Sequence, residues 1–305
     1  MAGQAKRRWV VTGAGGQLGL CLAAQLRGDP ANTLAAAFDR AALDLADVAG
    51  MRRTLLALPG GAPDVIANAA AMTHVDRCET EPAAAEAANA TGPAALAEIC
   101  EQIGAQLVTV STDYVFDGCG SQPYTETDPT GPRSVYGRTK LDGERRVFAA
   151  HPGALVVRTA WVFGPGRNFV RTILEAAARA QRGEAPPLRV VDDQRGSPTY
   201  AGDLAEGIIG LVGAGASGVV NLVNRDVATW WDLARASVDI WGHPELPIEK
   251  VRTADFPRPA LRPAWSVLDV DKADRLGVRL RTWREALRAY LDSDASPLRE
   301  LGAWS

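Results

Sequence analysis

Trp9-Val10-Val11-Thr12-Gly13-Ala14-Gly15-Gly16-Gln17-Leu18-Gly19 opens with an apolar run, passes through a glycine turn and leads into a helix-forming stretch from Leu20 to Leu26. Strand, tight turn and helix in that order aim backbone N–H groups and the positive helix end at an anion such as a pyrophosphate. Gly13, Gly16 and Gly19 stand at G-x-x-G-x-x-G spacing, a relative of the dinucleotide fingerprint. Gln17 and Leu18, inside the turn, join them as candidate cofactor contacts. About twenty residues beyond Gly19, after the apolar stretch Leu34 to Phe38, comes Asp39-Arg40. An acid there can take the ribose 2′-OH of NAD, and a neighbouring Arg can take the 2′-phosphate of NADP, so the pair points to NADH or NADPH.

Outward from this unit the alternation repeats. Residues 64–68 and 106–110 read as buried parallel strands, 81–100 as a helix between them, and 154–158 as a further strand. Such βαβ alternation predicts an α/β fold with a doubly wound parallel sheet. Ligands bind beyond the carboxyl ends of the strands in that architecture. The clusters Gly13 to Gly19, Asp39, Asn68 to Thr73 and Ser111-Thr112-Asp113 each follow a predicted strand. Asn68, Ala69 and Ala70 offer small groups where backbone must approach a cofactor ribose.

Ser111-Thr112-Asp113-Tyr114-Val115-Phe116 and Tyr136-Gly137-Arg138-Thr139-Lys140 carry the chemistry. Tyr and Lys at i and i+4 share a helix face. An ammonium beside the phenol favours tyrosinate, so the Tyr136 pKa is expected to fall below about 10. A proton donor to a carbonyl oxygen near neutral pH needs that tuning. Thr112 can hold the same oxygen through its hydroxyl. Tyr114 and Tyr124 have no Lys four residues on and are not read as acids.

Together these blocks identify the chain as a member of the extended short-chain dehydrogenase/reductases, and within them it resembles the dTDP-4-dehydrorhamnose reductases. The resemblance runs nearly end to end, through residues 68–76, 111–118, 123–126, 136–144, 158–164 and 193–199. Its most specific parts are Ser-Thr-Asp-Tyr-Val-Phe-Asp-Gly and the later Asp-Gln-x-Gly-x-Pro-Thr. It implies a Rossmann-type domain over residues 1–160, rejoined by about 197–225, and a mainly substrate-binding lobe over 161–305. It also implies that Lys140 anchors the nicotinamide ribose and that Asp44, Leu45 and Thr73 line the cofactor site. Val75, Asp76, Thr112, Asp113, Tyr114, Trp161 and Arg195 are the implied contacts to a dTDP-sugar, Arg195 toward its diphosphate. A homodimer is a further expectation. The loop residues Met72 and His74 and the segment Arg262-Pro263-Ala264-Trp265-Ser266 depart from the pattern and bear on which sugar is used. His74 is expected to line the cleft, and Trp230, Trp231 and Trp241 to fill the core of the smaller lobe.

Bulk properties narrow the field. Among 305 residues, 33 basic and 36 acidic side chains give a net charge of −3, and no basic stripe suggests a nucleic acid partner. No apolar stretch approaches the ~18 residues a membrane span needs. Lys6-Arg7-Arg8 is followed by an apolar run that the glycine turn interrupts, which argues against a signal peptide and for the cytoplasm. The four cysteines lack ligand spacing, and Asp192-Asp193 is too ordinary a pair to assign a metal. Three other functions share much of this pattern: reduction of another nucleotide-linked 4-keto sugar, a nucleotide-sugar epimerase that returns its hydride, and a non-catalytic NADP-binding regulatory subunit.

Overall fold

The computed structural model describes residues 6–301. β1 (Arg7–Thr12) has Trp9 and Val11 on one face and Val10 on the other, all fully buried, as an interior parallel strand requires. α1 (Gln17–Gly28), β2 (Asn32–Phe38), α2 (Val48–Leu56) and β3 (Val65–Asn68) continue the alternation. Next come α3 (Val75–Thr80), α4 (Pro82–Glu86), a π turn (Ala87–Thr91), α5 (Gly92–Ile103) and β4 (Gln106–Thr112). The chain then forms α6 (Val135–Ala150), β5 (Leu155–Thr159), β6 (Val162–Phe163), α7 (Phe169–Gln181), β7 (Leu188–Val191), β8 (Arg195–Gly196) and β9 (Thr199–Tyr200). α8 (Ala201–Gly213), β10 (Gly218–Asn221), β11 (Ala228–Thr229), α9 (Trp230–Ile240), β12 (Ile248–Val251), α10 (Asp271–Arg275) and α11 (Trp283–Asp292) follow.

The central sheet has the order β10-β5-β4-β3-β1-β2, and every pairing in it is parallel. The connection from β1 goes outward to β2, and the next strand, β3, lies on the other side of β1. That reversal opens a crevice between the turns that follow β1 and β3. Leu22 and Leu26 of α1 meet Leu204, Ile208 and Leu211 of α8 over one face. Met51 and Leu55 of α2 join Leu96 and Ile99 of α5 over the other. A separate cluster ties α7, α9, α11 and β7 together through Val170, Leu174, Leu233, Leu287, Tyr290 and Val190. This smaller lobe is interleaved with the sheet in sequence, because α8 and β10 return to the sheet between α7 and α9.

The expected helix over 81–100 is α4, the π turn and α5 in one run. The π turn rotates Asn89 inward. Its Oδ1 accepts the Met72 N–H at 2.8 Å, and its Nδ2 donates to the Met72 carbonyl at 3.1 Å and to Thr139 Oγ1 at 3.2 Å. One side chain thus pins the loop after β3 to α6, a use consistent with the concentration of π turns near functional sites. Among the described residues, no helix is long and apolar enough to cross a membrane.

Candidate active site

β1 ends at Thr12, and Gly13 then adopts φ +71°. A Cβ there would lie 2.6 Å from the Ala70 nitrogen, and one at Gly19 would lie 2.2 Å from the Gly13 carbonyl oxygen. Only glycine lets the two turns pass so closely and α1 start against them. Behind the turns, Thr12 Oγ1 donates to Asn68 Oδ1 at 2.8 Å, which also accepts the Ala70 N–H at 3.1 Å. Asn68 Nδ2 donates to Thr109 Oγ1 at 3.1 Å. The structure places Asn68 behind these turns, almost fully buried. Its buried amide is spent on tying β1, β3 and β4 together, and Ala69 and Ala70 face the cleft instead.

Two cavities meet over this turn, sharing Gly15, Gly16 and Ala69 to Ala71. The smaller, about 500 Å³, is lined by Gly13, Asp39, Arg40, Asp44 and Leu45, by Met72, and also by Arg77, which the sequence did not single out. The larger, about 640 Å³, runs from Gly16, Gln17 and Leu18 past Thr73 and Val75 to Thr112, Asp113, Tyr114, Tyr136, Lys140 and Trp161. The residues present fit a dinucleotide. α1 starts at Gly16 with no side chain capping it, so its first amides face the cleft. Gln17 Oε1, in the wall of the larger cavity, is buried without a partner. At the far end Asp39 Oδ1 accepts the Ala42 N–H at 2.9 Å, and Arg40, on the exposed side, reaches Asp44 at 3.4 Å.

α6 begins at Ser134, whose Oγ accepts the Gly137 N–H at 3.1 Å. Its first turns press on the Asp113–Val115 turn so closely that a Cβ on Gly137 would lie 2.2 Å from the Tyr114 carbonyl oxygen. Helical spacing puts Tyr136, Lys140 and Glu144 on one buried face. Lys140 Nζ donates to the Val110 carbonyl at 2.7 Å. Thr112 Oγ1 accepts the Tyr114 N–H at 3.2 Å and donates to Asp113 Oδ1 at 2.8 Å. Its single O–H must therefore turn away from Asp113 to hold a keto oxygen.

Burial governs the proton affinities. It pushes Asp113 up to about 6, against the hydrogen bonds from Thr112 and nearby groups, and leaves Asp113 Oδ2 without a partner. It pushes Lys140 down to about 8, with Glu144 opposing. The expected fall in the Tyr136 pKa is corrected: burial raises the phenol above its ordinary range, the Thr112 hydroxyl opposes the rise, and Asp113 adds to it. Spacing alone does not register desolvation, which outweighs a neighbouring ammonium turned toward Val110. The phenol consequently keeps its proton, the state that a proton donor needs.

Trp161 sits at φ +47° and stacks on Trp230, with ring centroids 3.7 Å apart and planes at 6°. Gly196 backs the indole: a Cβ there would lie 2.5 Å from Trp161 Cε2. Gln194 Oε1 accepts the Trp230 indole N–H at 3.0 Å, and Gln194 Nε2 donates to Thr253 Oγ1 at 2.9 Å. Asp193 accepts the Thr253 N–H at 3.0 Å. The Asp-Gln-x-Gly motif is thereby the frame for two indoles. Trp230, expected in the lobe core, packs against it and also lines the larger cavity, whereas Trp231 packs there too and donates its indole N–H to the Ile248 carbonyl at 3.0 Å.

Asp76, Arg195 and His74 lie outside both cavities. Asp76 binds Arg262 at 3.0 Å and the Ala260 N–H at 3.2 Å, and does not line either cavity. Burial raises its pKa, but those partners outweigh that effect and hold it below the usual range. Arg195 is exposed on β8, outside both cavities. His74 caps α3, its Nδ1 accepting the Arg77 N–H at 3.2 Å, and is exposed. Arg167, which no motif in the sequence marks, is an exposed cation that lines the larger cavity and has no ion-pair partner among the described residues.

A family model described as RmlD substrate binding domain matches residues 7–296. The chain belongs to the RmlD substrate binding domain family. dTDP-4-dehydrorhamnose reductase of Mycobacterium tuberculosis (strain H37Rv) is 43% identical over 304 residues, covering 97% of this RmlD-family chain and 96% of that protein. dTDP-4-keto-6-deoxy-D-glucose reductase of Streptomyces niveus is 38% identical over 283 residues, covering 92% and 95%. The crystal structure of dTDP-4-dehydrorhamnose reductase from Bacillus anthracis in complex with NADP matches this RmlD-family fold with a TM-score of 0.87 at 31% identity, covering 94% of this chain and 99% of that one.

Proposed function

We propose that the protein reduces the C4 keto group of a dTDP-4-keto-6-deoxyhexose with NADPH or NADH, taking dTDP-4-dehydrorhamnose to dTDP-L-rhamnose. What carries this reading is a single cleft in which a dinucleotide turn and the set Thr112, Tyr136 and Lys140 open onto one cavity. Full-length relatives whose names are dTDP-4-keto sugar reductases support the substrate class. When bound, NADPH supplies the hydride to the keto carbon. Tyr136 gives its phenolic proton to the oxygen as negative charge grows there, and Thr112 steadies that oxygen by rotating its hydroxyl from Asp113. The Lys140 ammonium holds the cofactor ribose and offsets the charge left on Tyr136. Trp161, propped by Trp230 and Gly196, forms the wall against the sugar.

The test follows NADH and NADPH oxidation with dTDP-4-dehydrorhamnose and identifies the product by NMR. Stoichiometric oxidation with an L-rhamnosyl product is the expected result. The Streptomyces niveus relative, named for dTDP-4-keto-6-deoxy-D-glucose, favours one second reading, a reductase of that sugar, and running the assay with both sugars separates the two. Sugar turnover without net cofactor oxidation would mean an epimerase.

In this reading the substrate diphosphate meets Arg167 rather than Arg195. A guanidinium on a diphosphate makes charge-assisted hydrogen bonds of about 1.5–3 kcal/mol. Arg167→Ala is expected to raise the KM for the dTDP-sugar by about tenfold or more with kcat and the KM for NADPH little changed. Arg195→Ala should leave all three unaltered, and the reverse pattern in steady-state kinetics would restore Arg195 to the site.

A further inference from the structure

The same helix face that presents Tyr136 and Lys140 continues to Glu144, and this acid is buried. Its two oxygens are fully engaged. Oε1 accepts from Arg158 Nε at 3.0 Å and from the Ser111 hydroxyl, and Oε2 accepts from Arg158 Nη2 at 2.7 Å. Arg158, on β5 and equally buried, also donates to the Glu126 carbonyl at 3.3 Å and lies over the Phe116 ring. Ser111 stands between Val110, whose carbonyl holds Lys140, and Thr112. The carboxylate therefore joins the end of β4 to the middle of α6, one carrying Thr112 and the other Tyr136 and Lys140.

We propose that Glu144, held by Arg158 and Ser111, is a positioning residue that keeps the Lys140 ammonium charged and fixes Thr112 against Tyr136. This rests on the reductase reading of the cleft. A buried ion pair rarely adds net stability over apolar residues of the same size, so stability alone is a weak reason for one here. Its placement supplies a better one. Tyr136 and Glu144 share the α6 face with Lys140, Asp113 and Tyr114 in the turn after β4 line the same cavity, Cys78 on α3 packs with Tyr136, and Arg158 on β5 stands behind Glu144. Burial drives Lys140 toward its neutral form, and Glu144 is the group that opposes it. Losing that carboxylate lowers the pH at which Lys140 gives up its proton.

The test compares Glu144→Gln with Glu144→Gln/Arg158→Gln. The single variant leaves the Arg158 charge buried and unpaired, and so can fail to fold. The double variant removes both charges and keeps amide hydrogen bonds. For each folded chain, kcat/KM with the dTDP-sugar and the NADPH dissociation constant are measured from pH 6 to 10. In the double variant the alkaline limb of both profiles is expected to move down by about one pH unit. Folding should match the parent by circular dichroism, and kcat at pH 7 should fall more than the KM for the sugar rises. A folded double variant whose limbs stay with the parent's would overturn the proposal. So would a double variant that fails to fold, since the pair would then belong to the core rather than to Lys140. A parent that binds NADPH but reduces no 4-keto sugar would remove the reductase reading, and the binding profile would still decide the part played by Glu144.

Discussion

Tyr136→Phe is expected to lower kcat about a thousandfold while the chain folds normally and binds NADPH as the parent does. The size follows from proton donation, which contributes about 10²–10⁴ in rate. The selectivity follows from the surroundings. Tyr136 is buried, its ring packs edge-on to Tyr114 at 5.5 Å, and phenylalanine keeps that packing. The hydroxyl lost faces Thr112, so the effect on stability should be within about 1 kcal/mol. Lys140 and its bond to Val110 remain, which is why the cofactor should still bind. Rapid-mixing kinetics with an independent NADPH titration checks both halves. If turnover stayed within tenfold of the parent, the donor would have to be sought in Asp113, an acid in the same cavity that burial has brought up to about 6. A variant relying on Asp113 would lose activity as the pH rose through that value, which would identify it.

The contrast between Tyr136 and Asn68 shows what a sequence can convey about this site. The glycine turn, the acid at the end of β2 and the Tyr-Lys spacing are local patterns set by strand and helix geometry, and Gly13, Gly16, Asp39, Tyr136 and Lys140 all line the cleft. The doubly wound sheet was legible for the same reason, since its strands are short apolar runs at regular intervals. Asn68 ends β3 at the edge of the cleft loop, yet its side chain is claimed by Thr12 and Thr109 from neighbouring strands. Asp76 is claimed by Arg262, 186 positions away, and Trp230 reaches from the edge of the lobe core to the cleft because Trp161 and Gln194 receive it. Partnerships of that range leave no periodic trace. The same is true of charge: an ammonium at i+4 is visible in the sequence, whereas the desolvation that raises Tyr136 instead is a property of the packed site.

Lys140 brings stability and chemistry into direct opposition, and Lys140→Met should expose the conflict. The parent folds around a lysine whose proton affinity has dropped from the ordinary 10.5 to about 8. The sign follows from proton counting. Below about pH 8 the lysine is charged in both states, and the folded chain bears the full penalty of burying it. Between about 8 and 10.5 the unfolded chain binds more protons than the folded one, so stability rises with pH. Above that window the penalty is gone. A shift of this size corresponds to about 3 kcal/mol, from which the lost bond to the Val110 carbonyl takes back about 1 kcal/mol. At pH 7 the methionine variant should therefore melt above the parent, and its lead should shrink as the pH climbs toward 10.5. Activity runs the other way. The variant should lose turnover by about a thousandfold and bind NADPH more weakly, since the charge that serves both is absent. In the parent, activity should decline above about pH 8 while the fold becomes more stable. Thermal melts of both chains at pH 7 and pH 10, set beside the parent's pH–rate profile, measure the two trends together. A variant less stable than the parent at pH 7 would mean that the Val110 bond outweighs the buried charge. In that case the lysine would be an anchor of the fold first and a catalytic group second.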